Sequence, residues 1–154
     1  MKLVVQRVIR AEVRVSGARI SAIGPGLVVF VAIEKGDGME DVGKAAEKIR
    51  LLRCFSDTAG KMNLSVGDVR GEILAVSQFT LAASLERGRR PSFEGAEAPE
   101  RARNLYTEFC RILGEEGVPV REGEFGAHME VELINDGPVT FIFGTTKTVK
   151  NSGT

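Results

Sequence analysis

The chain has no tryptophan, one tyrosine (Tyr106), one histidine (His128) and two cysteines in its 154 residues. With a single histidine, and with Cys54 and Cys110 in no paired spacing such as CxxC, a Cys/His metal site is not expected; the thiols read as buried and reduced. No apolar run approaches the roughly 20 residues that a membrane-spanning helix needs, so no membrane contact is expected. The charged and polar residues of MKLVVQRVIRAEVRV interrupt any signal-peptide core, and the expected location is the cytoplasm. Charge of one sign is missing as well: 21 Lys and Arg balance 21 Asp and Glu. A broad positive field of the kind that holds nucleic acid non-specifically is therefore excluded, although local basic patches are not. Two such patches are visible, ERGRRPSF (86–93) and Lys44, Lys48, Arg50 and Arg53, while 115–124 is acidic. Solvated faces are the plain reading of each on composition alone.

What is present is the alternation of a mixed α+β domain with no internal repeat and no linker. KLVVQRVI (2–9) and AEVRV (11–15) read as strands, and Gly17 as a turn leading to ARISAI. GPG at 24–26 is a turn signal, and LVVFVAI (27–33) is apolar enough for a strand buried on both faces. Val42, Ala45, Ile49 and Leu52 form one stripe of a helix over 41–53. EILAVSQF (72–79) is a further strand. Pro99 suits the first turn of a second helix, with Ala102, Leu105, Phe109, Ile112 and Leu113 as its buried stripe. VPVREG, HMEVELI and PVTFIF are three terminal strands. The last two are expected to pair as a hairpin about NDG, with Met129, Val131 and Leu133 on one face. Pro138 is the anomaly, because a proline has no N–H to give to a sheet ladder.

The chemistry-bearing residues are few. GPGLVVF has neither the spacing nor the lysine of a phosphate loop, and it opens a strand. His128 is read as a satisfied structural histidine, and a Ser-His-Asp triad through it matches too cheaply to carry weight. SQFTL (77–81) offers hydroxyls at Ser77 and Thr80, the Gln78 amide, and backbone N–H groups where a strand ladder runs out. Such N–H groups are ready donors to an oxyanion; an ordinary strand terminus is the alternative.

Six stretches taken in order, VVQRV (4–8), KMNLS (61–65), SQFTL (77–81), GRRPSF (88–93), GAHM (126–129) and NDGPVT (135–140), resemble the D-aminoacyl-tRNA deacylases. The likeness runs from the first strand to about Phe143, with both signatures, SQxxL and NxGPxT, intact. It implies a barrel-like mixed-sheet α+β domain over 1–144 with two main helices and a polar tail over 145–154. It further implies a homodimer with each active site at the subunit interface, acting on the 3′ end of aminoacyl-tRNA with no cofactor and no metal. The reaction implied is hydrolysis of the ester between a D-amino acid, or mischarged glycine, and tRNA. In the family the peptide matching Gly137-Pro138 is cis and enters the partner's pocket. Its two carbonyls there accept from the substrate ammonium, and an L side chain is driven into the main chain.

By the same resemblance Arg7 fixes the Gly-Pro orientation, and Met129 belongs with Gly137 and Pro138 in substrate binding. Ser77, Gln78, Phe79 and Thr80 form the catalytic stretch, with the N–H groups around Gln78 and Phe79 as oxyanion donors and the Gln78 side chain shaping the pocket. Arg89 and Arg90 then become contacts to the tRNA backbone. Thr80 is a nucleophile by position, yet a threonine hydroxyl needs an activating base, and none is visible. The 2′-hydroxyl of the terminal adenosine, positioning or activating water, is the preferred account. Glu34 departs from the smaller or apolar residue common in the family. Two rivals stand: a deacylase of the same fold that clears L-alanine from tRNA, with a trans Gly-Pro, and a non-catalytic dimer that binds nucleic acid. The tail offers the latter only Lys147 and Lys150.

Overall fold

A computed structural model describes residues 1–145. The strands are β1 (Lys2–Val15), β2 (Ala18–Ile23), β3 (Gly26–Ala32), β4 (Phe55–Ser56), β5 (Met62–Leu64), β6 (Glu72–Ser77), β7 (Val120–Glu122) and β8 (Met129–Gly144). The helices are α1 (Met39–Arg50) and α2 (Pro99–Leu113). The tail expected over 145–154 lies, past Thr145, outside the described residues.

One strand organises the sheet. The two strands read over 2–9 and 11–15 are a single β1, whose first half pairs with β3 (Lys2↔Ala32 to Val8↔Gly26) and whose second half pairs with β2 (Ala11↔Ile23 to Val15↔Ala18). Its other edge carries β8 from Lys2↔Gly144 to Val15↔Met129. β3, β6 and β7 run parallel to one another, with α1 in the β3-to-β6 crossover and α2 in the β6-to-β7 crossover. β2 returns against β6 and β7, so the mixed sheet comes close to closing as a barrel. β4 and β5, of which the sequence showed only KMNLS, form a small separate ribbon.

The apolar residues divide between two faces. Val8, Ala11, Val13, Val28, Leu74 and Val76 fill the barrel interior, with Met129, Val131 and Leu133 of β8 packed against them as expected. Leu3, Val5, Leu27, Val29, Ile73 and Ala75 face outward onto the helices, where Ile49, Phe109 and Leu113 cover them. β3 is thus buried on both sides, the reason for its continuous apolar run.

The helix boundaries differ from the sequence reading in ways that caps explain. α1 starts two residues early because Asp41 is its third residue, its carboxylate accepting from the Gly38 N–H (2.9 Å). It ends at Arg50, since the Leu52 N–H tightens onto the Ile49 carbonyl (3.2 Å), the short-range bond of a 3-10 turn. α2 starts at Pro99 as expected, but its buried stripe also includes Tyr106 and Cys110, with Ala102 and Ile112 only partly buried. The Tyr106 hydroxyl donates to the Ala75 carbonyl (2.9 Å), which is how a buried phenol is satisfied beneath the sheet. β6 stops at Ser77, and 79–82 is a 3-10 turn rather than strand.

The hairpin about NDG does not form. Residues 129–135 and 140–144 both pair with β1, in one direction, as a single strand. From Gln6 to Arg10 β1 advances four residues, while its partners from Thr140 to Ile134 advance six, so β8 carries two extra residues that bulge out of the ladder. Pro138 sits in that bulge, where no ladder N–H is needed.

Gly26 and Gly24 give a paired test of the β3–β6 join. A Cβ on Gly26 would lie 1.9 Å from the Glu72 backbone oxygen, whereas one on Gly24 would meet only the Glu72 carboxylate at 3.8 Å. Urea unfolding of Gly26→Ala is expected to show a loss of about 3 kcal/mol or more, because backbone must move. Gly24→Ala is expected to stay within about 1 kcal/mol of the parent.

Candidate functional site

Because β3, β6 and β7 are parallel, their carboxyl ends lie together, and crevices of α/β sheets open at such ends. A cavity of about 430 Å³ opens there. Ser77, Gln78 and Phe79 enter it from the end of β6, Pro99 and Ala102 from the start of α2, and His128 and Met129 from the entry to β8. The structure therefore brings SQF and GAHM, which are far apart in sequence, onto one wall. Phe125 completes the floor. It is fixed by Tyr106, with 5.7 Å between ring centroids, and by the Arg103 guanidinium 4.8 Å over its ring, a cation–π contact.

The hydrogen bonding at the end of β6 corrects one expectation. The Gln78 N–H is already spent on the Val31 carbonyl (2.7 Å), so it is not a free oxyanion donor. Phe79 and Thr80 open the 3-10 turn, and the first N–H groups of such a turn have no partner within it. The open donors are thus displaced one residue along the chain. The Gln78 side-chain amide donates to the Thr80 hydroxyl, which stands exposed and outside the cavity. An amide donor cannot take a proton, and neither Ser77 nor Thr80 has an imidazole or carboxylate hydrogen-bond partner among the described residues.

His128 is not the satisfied structural histidine expected. It is exposed on the cavity wall and makes no hydrogen bond among the described residues. Glu97, also on the wall, is held below the usual carboxylate range by the Ala98 N–H and then by Arg101, so it is ionised at neutral pH and paired with that guanidinium. Both thiols are buried, Cys54 and Cys110 alike pushed up by desolvation, and neither touches the cavity.

Arg89 and Arg90 do not line the cavity but stand next to it. The Ser84 and Ser92 backbones clasp each other (2.8 and 3.0 Å) and close an exposed loop that carries Arg87, Arg89 and Arg90. Phe93, just past the clasp, packs on Phe79 with ring centroids 5.1 Å apart. SQFTL and GRRPSF are thereby one surface.

Gly137, Pro138 and Arg7 are elsewhere. Arg7 pairs with Leu27 at the start of β3, whereas the cavity wall takes Val31 from the other end of that strand. The bulge is built by the residues that the NxGPxT pattern names. Asn135 closes its base by accepting from the Val139 N–H (2.7 Å) and donating to the Val139 carbonyl (3.2 Å), with a further donation to the Thr140 hydroxyl (3.1 Å). Gly137 has φ of +144°, and a Cβ there would lie 2.6 Å from the Val139 side chain. The Gly137–Pro138 peptide is cis, the state that the resemblance implies.

Arg7 donates through Nε to the Asp136 carbonyl (3.0 Å) and through Nη1 to the Cys54 carbonyl (2.7 Å), with the Asp136 carboxylate 3.2 Å from Nε. Sequence alone gave no sign of the clasp by Asn135, since Asn-Asp-Gly reads as turn chemistry. Nor did it signal Ala102, Phe125 or Glu97, whose spacing fits ordinary helix and loop.

A model of the D-Tyr-tRNA(Tyr) deacylase family matches residues 4–144. A D-aminoacyl-tRNA deacylase of Geobacter sulfurreducens (strain ATCC 51573 / DSM 12127 / PCA) is 52% identical over 145 residues, 94% of this chain and 95% of its own length. One of Geotalea uraniireducens (strain Rf4) is 52% identical over 154 residues, 100% of this chain and 99% of its own length. A solved "c-Myc DNA Unwinding Element Binding Protein" superposes with a TM-score of 0.90 at 42% identity, over 95% of this chain and 99% of that one. A second, described as "Structural Analysis of a probable eukaryotic D-amino acid tRNA deacylase", superposes with a TM-score of 0.79 over 92% and 97%, and at 18% identity its likeness is one of fold.

Arg7 is the joint of the bulge, and its side chain is mostly buried (12% exposed). Arg7→Ala, which leaves the Cys54 and Asp136 carbonyls without that donor, is expected to cost about 1.5–3 kcal/mol in urea unfolding. Arg7→Lys is expected to recover less than half, because one ammonium cannot reproduce a planar fork aimed at two carbonyls.

Proposed function

The chain belongs to the D-Tyr-tRNA(Tyr) deacylase family, and from that premise we propose that it hydrolyses the ester joining a D-amino acid to the 3′ end of tRNA. Free tRNA and D-amino acid are the products, and glycine mischarged on tRNA is cleared by the same site. The observation that carries the reading is a division of parts. An apolar pocket edged by open N–H groups lies at one end of β3, and a clasped main-chain bulge lies at the other. One protomer cannot join them, so the complete site takes its pocket from one subunit and Gly137-Pro138 from the other, as a homodimer.

In this reading the Gly137 and Pro138 carbonyls accept hydrogen bonds from the substrate ammonium. With the ammonium fixed, a D side chain points into open space, and an L side chain collides with the main chain that holds it. Selection is by exclusion, which tolerates many side chains and lets glycine through. Met129 supplies apolar wall beside the reacting ester.

For the chemical step, water attacks the ester carbonyl and negative charge develops on its oxygen. The Phe79 and Thr80 N–H groups receive that charge, each such donor being worth ~10²–10³ in rate. Gln78 positions this turn through its hydrogen bonds to Val31 and Thr80. The water is positioned or activated by the 2′-hydroxyl of the terminal adenosine, since the Thr80 hydroxyl receives a hydrogen bond from an amide and meets no base among the described residues. Arg89 and Arg90 meet the tRNA backbone as it leaves the pocket.

A second reading, a non-catalytic dimer that binds nucleic acid, is favoured by one observation: a similar structure carries the name of a DNA-element-binding protein. A third, release of L-alanine from tRNA, goes with a trans Gly-Pro and the opposite hand, whereas the Gly137–Pro138 peptide here is cis.

Incubation with matched D-Tyr-tRNA and L-Tyr-tRNA separates these readings. D-tyrosine is expected to be released at least about a hundredfold faster, the size of effect that a blocked near-attack geometry gives. Equal rates would remove the chiral reading, and binding without release would establish the module. Thr80→Ala is expected to keep kcat/KM within about fivefold of the parent, well short of the ~10²-fold or greater loss that follows removal of a nucleophile or oxyanion donor. Complete loss in a folded variant would assign the side chain as nucleophile.

A further inference from the structure

Many cations of this chain are used locally: Arg10, Arg14, Arg101 and Arg111 each sit against a carboxylate. Two clusters hold cations that are not used in this way. One is the 84–92 loop with Arg87, Arg89 and Arg90. The other lies at the end of α1, where Lys44, Lys48 and Arg53 line a groove of about 530 Å³. Leu51 and Leu52 lie between them, and Glu47 is the groove's one carboxylate. Lys44 is paired with Glu40, and neighbouring Arg50 with Glu116 (2.7 Å). Lys48 and Arg53 have no ion pair among the described residues, although the charge of Arg53 reaches Asp68 at longer range. Lys48 and Arg50 in the last turn complement the helix dipole. That account does not extend to Arg53, which lies past the end of the helix.

The position of this groove gives it meaning. Arg53 directly precedes Cys54, whose carbonyl accepts from Arg7, and the same guanidinium holds the Asp136 carbonyl at the base of the Gly-Pro bulge. The groove is therefore joined to the bulge through one side chain, just as the 84–92 loop is joined to the pocket through Phe93 and Phe79. Each half of the divided site has its own unpaired cations. If the bulge of one subunit enters the pocket of the other, both groups arrive at the mouth of the same pocket.

We propose that Lys48 and Arg53 hold the phosphate backbone of the tRNA acceptor arm whose ester lies in the partner subunit's pocket. The subunit that lends the Gly-Pro bulge thus also grips the RNA. This rests on the divided-site reading above and adds to it a second, cross-subunit RNA contact. Phosphate is the fitting ligand because two cations of the groove, Lys48 and Arg53, have no ion pair among the described residues and face one carboxylate, and because the substrate at the adjoining half-site carries a phosphate chain outward from its 3′ end. With zero net charge, the protein has to take hold of RNA through such local contacts.

The test uses Lys48→Glu/Arg53→Glu in the full-length protein. Anisotropy of labelled, uncharged tRNA across a KCl series is expected to show binding about tenfold weaker at low salt. The slope of log K against log salt should be shallower by about 1.5, the loss of two phosphate contacts. KM for D-Tyr-tRNA should rise by a similar factor with kcat kept, while hydrolysis of the 3′-D-tyrosyl ester of adenosine, which has no acceptor arm, should not change. Lys48→Arg/Arg53→Lys should restore both. An unchanged slope and affinity overturns the proposal, and so does an equal loss on the adenosine ester.

Mixed dimers test the subunit assignment, with one pocket filled by Ala102→Trp. The rise in KM is expected when the charge reversal sits on the subunit with the filled pocket; its appearance only on the subunit with the open pocket overturns the cross-subunit contact. The anisotropy readout needs no hydrolysis. A parent protein that releases no D-tyrosine would sink the deacylase reading and leave the groove to be judged on RNA binding alone.

Discussion

β8 must carry two more residues than β1 between a pair of fixed registers, and the Asn135 side chain makes this possible. It gives Val139 both the acceptor and the donor that β1 cannot reach, so the ladder is interrupted without leaving buried main-chain groups orphaned. Arg7 then fixes the far side of the bulge to β1 and to Cys54. Gly137 and Pro138 are carried on a base held by these bonds. On the proposed reading, main-chain oxygens anchored in this way suit the discrimination of mirror images, because discrimination by collision requires that the obstacle not yield. A loop would move aside; a bulge pinned by a side-chain clasp and a guanidinium fork has few ways to do so.

The fold was legible wherever one periodicity acted alone. β3 and α2 were readable because continuous burial and a helical stripe write themselves into residue type. The hairpin about NDG was misread because the turn signal is genuine but local, whereas the pairing is decided by β1, a strand at the opposite end of the chain that offers one long edge. Nothing in residues 129–144 says that both halves prefer β1 to each other. The break placed at Arg10 has a physical counterpart: β1 is continuous there, but its register against β8 shifts between Val8 and Arg10. The site was legible through SQFTL and NDGPVT as words, not as geometry. That Gln78 has its N–H committed to Val31 depends on where β3 ends, which is a property of the sheet.

The electrostatics follow the same division. An overall charge of zero conceals two exposed clusters of cations, one beside each half of the site, while Glu97 on the pocket wall is neutralised by Arg101 (3.2 Å). On the deacylase reading this arrangement is economical for an enzyme that must release its product. Free tRNA and aminoacyl-tRNA present the same phosphates, so a broad positive field would hold both alike, and turnover would be limited by departure of the tRNA. Contacts confined to the mouth, and divided between subunits, position the 3′ end without that penalty.

The absence of a paired base among the described residues is the last constraint. Ser77 and Thr80 have the hydroxyls of a covalent mechanism but not its proton acceptor, and the one histidine stands exposed on the wall without a hydrogen bond to either. A deacylase built this way places its catalytic power in preorganised N–H groups and in the exclusion of the wrong enantiomer. On the proposed mechanism it leaves activation of water to the substrate. The selectivity then acquires a second layer, since a D-aminoacyl ester without a neighbouring ribose hydroxyl would bind and yet react slowly. The enzyme would be specific for tRNA by chemistry as well as by contact, because the group that completes the active site arrives with the RNA.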